Sequence, residues 1–144
     1  MLEIGMICAE AGEKIARVSA NMAMAADMEV RASSTATTGA YSSACQRGLP
    51  AILMERGGGG RFTDSEVQAY KQDVKNIMIR MGLLSGEEVH TVQQKNVTRA
   101  EYLEAETDGL WYPVFSAGDT FAGGAVLGTV RDIWGNLLRE YRAD

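Results

Sequence analysis

The chain has 144 residues, 46% hydrophobic and 23% charged, which is the size and balance of one globular domain or a little more. Its net charge of −5 and pI near 4.9 provide no basic stripe to displace counterions from phosphates, so nucleic acid is excluded as a partner. No apolar run approaches the roughly 18 residues of a membrane-spanning helix, which excludes an integral membrane protein of that kind.

The N-terminal stretch MLEIGMICAEAGEK lacks the basic start and small-residue cleavage site of a signal peptide. Cys8 and Cys45 stand far apart, in neither a CxxC pair nor a disulfide framework, and both read as small buried hydrophobes. Together these features predict a cytoplasmic protein. Apolar residues at Ile4, Ile7, Ala11, Ile15, Val18, Met22 and Ala25 fall in threes and fours, the spacing of a helix over 4–26. Met28 to Ala32 reads as a short strand, followed by SSTATTG as a loop. Gly39 to Arg47 suits a short helix, with Gly48 at its end and Pro50 barring continuation. Ala51 to Met54 is an unbroken apolar run, the pattern of a strand covered on both faces.

The next helix has the clearest start signal in the chain. Thr63 and Glu66 form a T-x-x-E capping box, with Phe62 and Val67 at the positions of a hydrophobic staple. Val67, Tyr70, Val74, Ile77, Met78 and Met81 make an apolar stripe that ends at Gly82. Helices and strands alternating with short loops predict an α/β layer structure. After Ser85 the chain turns polar, and turn signals then crowd in at Asp108-Gly109, Gly118-Asp119, Gly123-Gly124 and Gly135-Asn136. Short runs such as LWYPVF and AVLGTV between them predict the strands of a small barrel or sandwich. The expected division is an α/β part over 1–85 and a linker with a β-rich module over 86–144.

Between the strand AILM and the capped helix lies ERGGGGRF. A G-x-G-x-x-G fingerprint fails here, because the third glycine would fall on Phe62 or Thr63, and no GK[ST] follows for a Walker loop. The helix start is also occupied by its own capping side chains, which leaves fewer donors for a phosphate. Gly57, Gly58, Gly59 and Gly60 read instead as clearance, where a backbone without Cβ passes close to a ligand. Glu55 ends the strand, and ligands of open α/β sheets sit beyond the carboxyl ends of strands. Two readings stand level on the residues alone: a carboxylate facing a crevice, or a rim salt bridge to Arg56, Arg61 or Arg47.

From Thr37 onward the chain resembles the succinylglutamate desuccinylase/aspartoacylase family of zinc-carboxypeptidase-like hydrolases. TTGAYSSACQRGLPAILMERGGGG is similar to that family's helix, G-[IL]-P-A turn, strand and E-x-G-G-x-G motif. VKNIMIRMGLL is similar to the helix that follows, and DGLWYPVFSAGDTFAGGAVLGTVRDIWGN to the C-terminal β-module. The resemblance implies a partial carboxypeptidase-like α/β sheet followed by a lipoyl-like barrel, incomplete at both ends. It also implies an enzyme that hydrolyses an N-acyl amino acid or similar small amide, with zinc as cofactor. Glu55 matches the family's glutamate in E-x-G-G, the general base. Tyr41 lies where some members place a substrate-contacting tyrosine, and Arg47 is the nearest arginine to one that several carry after it.

The metal is where the chain departs from the family. Those enzymes bind zinc through His-x-x-Glu and a second, distant histidine, whereas this chain has one histidine, His90. Glu87-x-x-His90 has helix-compatible spacing but lies in the polar linker, and reads as an exposed histidine rather than a half-site. No metal ligands are therefore assigned to this chain, and it is expected to be inactive alone. With no lysine after Lys95, the β-module carries no biotin or lipoyl group. The expected partners are a small N-acyl substrate, together with a complementing N-terminal segment or a second copy meeting an open sheet edge. The runner-up function is a non-catalytic module that associates through that edge or through the β-module.

Overall fold

The structure is a computed structural model and describes residues 3–8 and 12–144. The chain divides into two compact units, the first ending at Ala100 and the second spanning Glu101–Asp144.

The first unit runs β1 (Ile4–Cys8), α1 (Glu13–Ala25), β2 (Val30–Ser34), α2 (Ala40–Gln46), β3 (Ile52–Glu55), α3 (Asp64–Arg80) and β4 (Lys95–Val97). Its four strands make one sheet in the order β3-β1-β2-β4. β1, β2 and β4 run parallel, and β3 is antiparallel to β1, with Ile4 opposite Glu55 and Ile7 opposite Ile52. The α/β expectation thus holds. The single helix over 4–26 does not, because Ile4–Cys8 is a strand. A helix through this region would have to carry Gly5 and Gly12, each costing about 1 kcal/mol relative to alanine. A strand here pairs on both sides instead. Ala11 of the expected stripe and the side chain of Cys8 lie outside the described residues.

Gly12 caps α1 without a side-chain bond, and the helix buries Ser19, Ala23 and Ala25 as it packs against β1 and α3. Such small residues allow a close approach, and the core continues through Ala26, Met28, Val30, Ala32 and Cys45. β3 was expected to be covered on both faces. It is a border strand, and Ile52, Leu53 and Met54 are only half-buried.

α3 begins where its signal placed it. The Thr63 hydroxyl accepts from the Glu66 backbone N–H at 3.2 Å, and the Glu66 carboxylate accepts from the Thr63 N–H at 2.6 Å. The staple is not formed, since Phe62 is 78% exposed. At the other end Gly82, at φ 74°, lets Leu83 N–H reach back to Met78 O and its own N–H to Ile79 O, a Schellman stop. The buried positions of this helix are not its apolar stripe but Asp73 and Asn76, while Val74, Met78 and Met81 are exposed.

The second unit is a three-stranded antiparallel sheet, β5 (Leu110–Pro113), β6 (Val126–Arg131) and β7 (Leu137–Arg142), in that order. The expected lipoyl-like barrel is not seen among the described residues, where β5 and β7 are the two borders of this sheet and do not meet. The GDTFAGG part of the stretch that resembles the family's β-module lies in turns before β6, with Phe121 exposed. Trp111 lies across Gly128, where a Cβ would stand 2.3 Å from its ring, and meets Tyr141 edge-on at 5.7 Å.

Candidate functional site

Glu55 closes β3, and its side chain is exposed. It lines a hollow of about 500 Å³ together with Ile4, Met54, Gly57, Gly58 and Tyr70. Because β3 runs against β1, the carboxyl end of β3 lies at the amino ends of β1 and β2, where Ile4 pairs with both Glu55 and Val30. The expectation of a crevice beyond the carboxyl ends of the parallel strands is corrected accordingly: Glu55 faces a hollow at the opposite edge of the sheet. The rim salt bridge does not form either. Among the described residues the Glu55 carboxylate has no ion pair, and Arg56 is committed to other partners.

Those partners fix the backbone around Glu55. The Arg56 guanidinium, only 4% exposed, donates to Asp73 Oδ2 from Nε at 3.0 Å and from Nη2 at 2.7 Å. Nη2 also donates to the Asp27 carbonyl at 2.8 Å, and Nη1 is paired with Glu3. Burial opposes the charge on Arg56, but Asp73 and Glu3 outweigh it and its pKa is raised. Asp73 is fully buried and additionally accepts from the Asp27 backbone N–H at 2.7 Å. Tyr70, one turn before Asp73 on α3, places its phenol between the flanks of Glu55. Its oxygen accepts from the Arg56 N–H at 2.8 Å and donates to the Met54 carbonyl at 3.3 Å.

The glycines serve the turn first. Gly59 and Gly60 both have positive φ, at 64° and 68°, between Gly58 and Arg61, which form a one-bridge hairpin. Two successive positive-φ residues are the mark of a type I′ turn. A Cβ on Gly57 would stand 2.8 Å from the Glu66 carboxylate, so its clearance is for the helix cap. Gly57 and Gly58 still leave the wall beside Glu55 without side chains. Tyr41 and Arg47 are not brought there. Tyr41 lies in α2 and Arg47 is its C-cap, and neither is among the residues lining the hollow beside Glu55. Tyr41 is half-buried and Arg47 exposed.

His90 lies elsewhere. Its Nε2 is 2.9 Å from Glu88 Oε2 and its Nδ1 is 3.9 Å from Asp27 Oδ1, so its carboxylate partners are Glu88 and Asp27. Glu88 pairs with Arg80, and Asp27 accepts from the Thr91 hydroxyl at 2.6 Å and from the Thr91 and Val92 N–H groups. These carboxylates tether residues 88–92 to the end of α1 and to α3. No group of three His, Cys, Asp or Glu able to hold a metal occurs among the described residues. The zinc implied by the resemblance thus finds no matching set of ligands among the described side chains.

Sequence reasoning missed the Arg56, Asp73 and Tyr70 set. The available signal was Tyr70 and Asp73 three apart on one helix, a spacing that puts both on the same face.

The whole chain can be laid on larger solved proteins. The product-bound ectoine utilization protein EutE (DoeB) from Ruegeria pomeroyi matches 99% of this chain and 45% of its own, with TM-score 0.83 and 21% identity. A succinylglutamate desuccinylase/aspartoacylase from Rhodobacter sphaeroides matches 98% and 44%, with TM-score 0.77 and 18% identity. A succinylglutamate desuccinylase from Silicibacter sp. matches 99% and 45%, with TM-score 0.72 and 22% identity. The fold is that of the succinylglutamate desuccinylase/aspartoacylase proteins. The chain spans somewhat under half the length of these structures. No family model matches it, and no curated protein is similar enough to count. Within this desuccinylase-like fold the present chain supplies the strand ending in Glu55, its glycine turn, the capped helix and the β-module.

Proposed function

We propose that this chain is the part of an N-acyl amino acid deacylase that carries the general base, Glu55. The observation that carries the reading is an unpaired carboxylate on a hollow, with the backbone held on both sides of it. The names of the solved proteins with this fold support a small acylated amino acid as the substrate class. Glu55 takes a proton from a water molecule in the hollow, and the water oxygen bonds to the amide carbonyl carbon. The C–N bond then breaks and the proton passes to the departing amine, the usual service of a shuttling carboxylate. Any zinc that assists would be held by residues outside this chain, because one histidine cannot supply two ligands. On this reading the chain works with a complementing segment, in the cytoplasm, and is inactive alone.

The test is to join the chain to an upstream segment that carries His-x-x-Glu and a later histidine, and to assay zinc-dependent amide hydrolysis. Glu55→Gln is expected to lower kcat by about 10²- to 10⁴-fold, the usual worth of a general base. Circular dichroism and metal content should not change. Hydrolysis that survives the substitution refutes the role.

One observation favours a second reading, a non-catalytic interaction module. β3 is a border strand, and border strands present unpaired backbone groups to other chains. Tyr70 already satisfies the Met54 carbonyl and Arg56 N–H, which limits any added strand to the Ile52 end. Light scattering of the chain alone separates the readings: a metal-free dimer supports the module.

A further inference from the structure

We infer that Tyr70 is a positioning residue for Glu55, acting through the backbone on either side of it; the inference rests on Glu55 being the base. One phenol oxygen bonds the carbonyl of the residue before Glu55 and the N–H of the residue after it. In an extended chain these two groups point the same way, opposite to the N–H and C=O of the residue between them. The phenol therefore fixes the peptide planes on both sides of Glu55. Without it, the last residue of a border strand has no neighbouring strand on that side to hold it.

The phenol does not act alone. The Arg56 guanidinium lies over the Tyr70 ring, with its central carbon 5.7 Å from the centroid, and is anchored beneath by Asp73 on the same helix. Alternation along an extended chain then sends the Glu55 side chain the other way, and Glu55 is exposed while Arg56 is buried. α3 is thus tied to the candidate base at two points, Tyr70 and Asp73. Both lie inside a helix whose start is fixed by its capping box. A base must meet its proton within hydrogen-bond reach, so an aimed carboxylate is worth more than a free one.

Tyr70→Phe is the test, because it keeps the ring, and with it the cation–π contact, and removes only the oxygen. In the 144-residue chain labelled with ¹⁵N and ¹³C, the Arg56 amide should exchange with solvent at least about 10-fold faster. The Glu55 Hα–Hβ couplings should move toward rotamer-averaged values, while amides in the middle of α3 keep their protection. Unchanged couplings and an unchanged Arg56 amide overturn the inference. Uniformly faster exchange across the first unit also overturns it, since that marks a merely structural hydroxyl. In the joined enzyme kcat should fall roughly 10- to 100-fold at constant KM, the expected cost of a misaimed group. If Glu55→Gln leaves hydrolysis intact, the base reading falls, and the exchange and coupling data still judge Tyr70 separately.

Discussion

Arg56 and Asp73 are a buried ion pair in which each partner has more than one bond to satisfy. The side chains are 4% and 0% exposed, and the Asp27 backbone supplies both a carbonyl for Arg56 and an N–H for Asp73. Removing Asp73 leaves the buried Arg56 charge with the part-exposed Glu3 alone as its ionic partner. Asp73→Ala is therefore expected to cost about 3–5 kcal/mol in urea unfolding. Replacing both together, with Arg56→Met and Asp73→Leu, is expected to recover most of that loss, because the carboxylate left without its partner, Glu3, is part-exposed to solvent. Full loss in the double variant would mean that the pair also specifies the packing of β3 on α3. None of this was legible in the residues. Arg56 reads as a solvated rim cation beside Glu55, and only the path of the chain reveals that its partner sits 17 positions later.

At the scale of elements, signals contained within a few residues were readable. The capping box, the Gly82 stop and the short helix before Gly48 all appear where local chemistry puts them. β1 was misread because its reason for being a strand is β2 and β3, both distant in sequence. The face of α3 was misread for a related cause, since a buried aspartate makes sense only once its arginine is in place. The segment after α3 is tethered by carboxylates, which makes it sensitive to acid. Hydrogen bonding from Arg80 is the main cause holding the Glu88 pKa down to about 2 from 4.5. Burial pushes the Asp27 pKa up, but bonds from the Thr91 hydroxyl and from the Thr91 and Val92 N–H groups, with His90 nearby, lower it overall. Folded-state values below the unfolded ones mean that the tether is at full strength above about pH 4.5 and weakens as pH falls toward 2. Hydrogen exchange should show the Thr91 and Val92 amides losing protection in that window before the middle of α3 does. Equal loss everywhere would show that the tether does not open independently.

At the scale of the whole molecule, the described residues offer a candidate base and no group of three metal-ligating side chains. Glu55 could be named from the sequence because the E-x-G-G resemblance fell on one position, whereas its hollow could not be located, since that depended on β3 running against β1. The sequence resemblance implies zinc, yet the one histidine in the sequence is engaged with Glu88 and near Asp27, and both carboxylates already bind other groups. Recruiting them to a metal would break the Arg80 pair and the Thr91 and Val92 caps, and would still leave one imidazole where two are required. The purified chain, dialysed against zinc and then against buffer, should therefore retain well under one zinc per chain by elemental analysis. The joined protein with the upstream histidines should retain one. The contrast is informative because Glu55, its glycine turn and Tyr70 are common to both samples, so metal retention reports on the ligands alone. One zinc per chain on a monomer of the 144 residues would show that a site can be assembled here, and the division between base and metal would have to be abandoned.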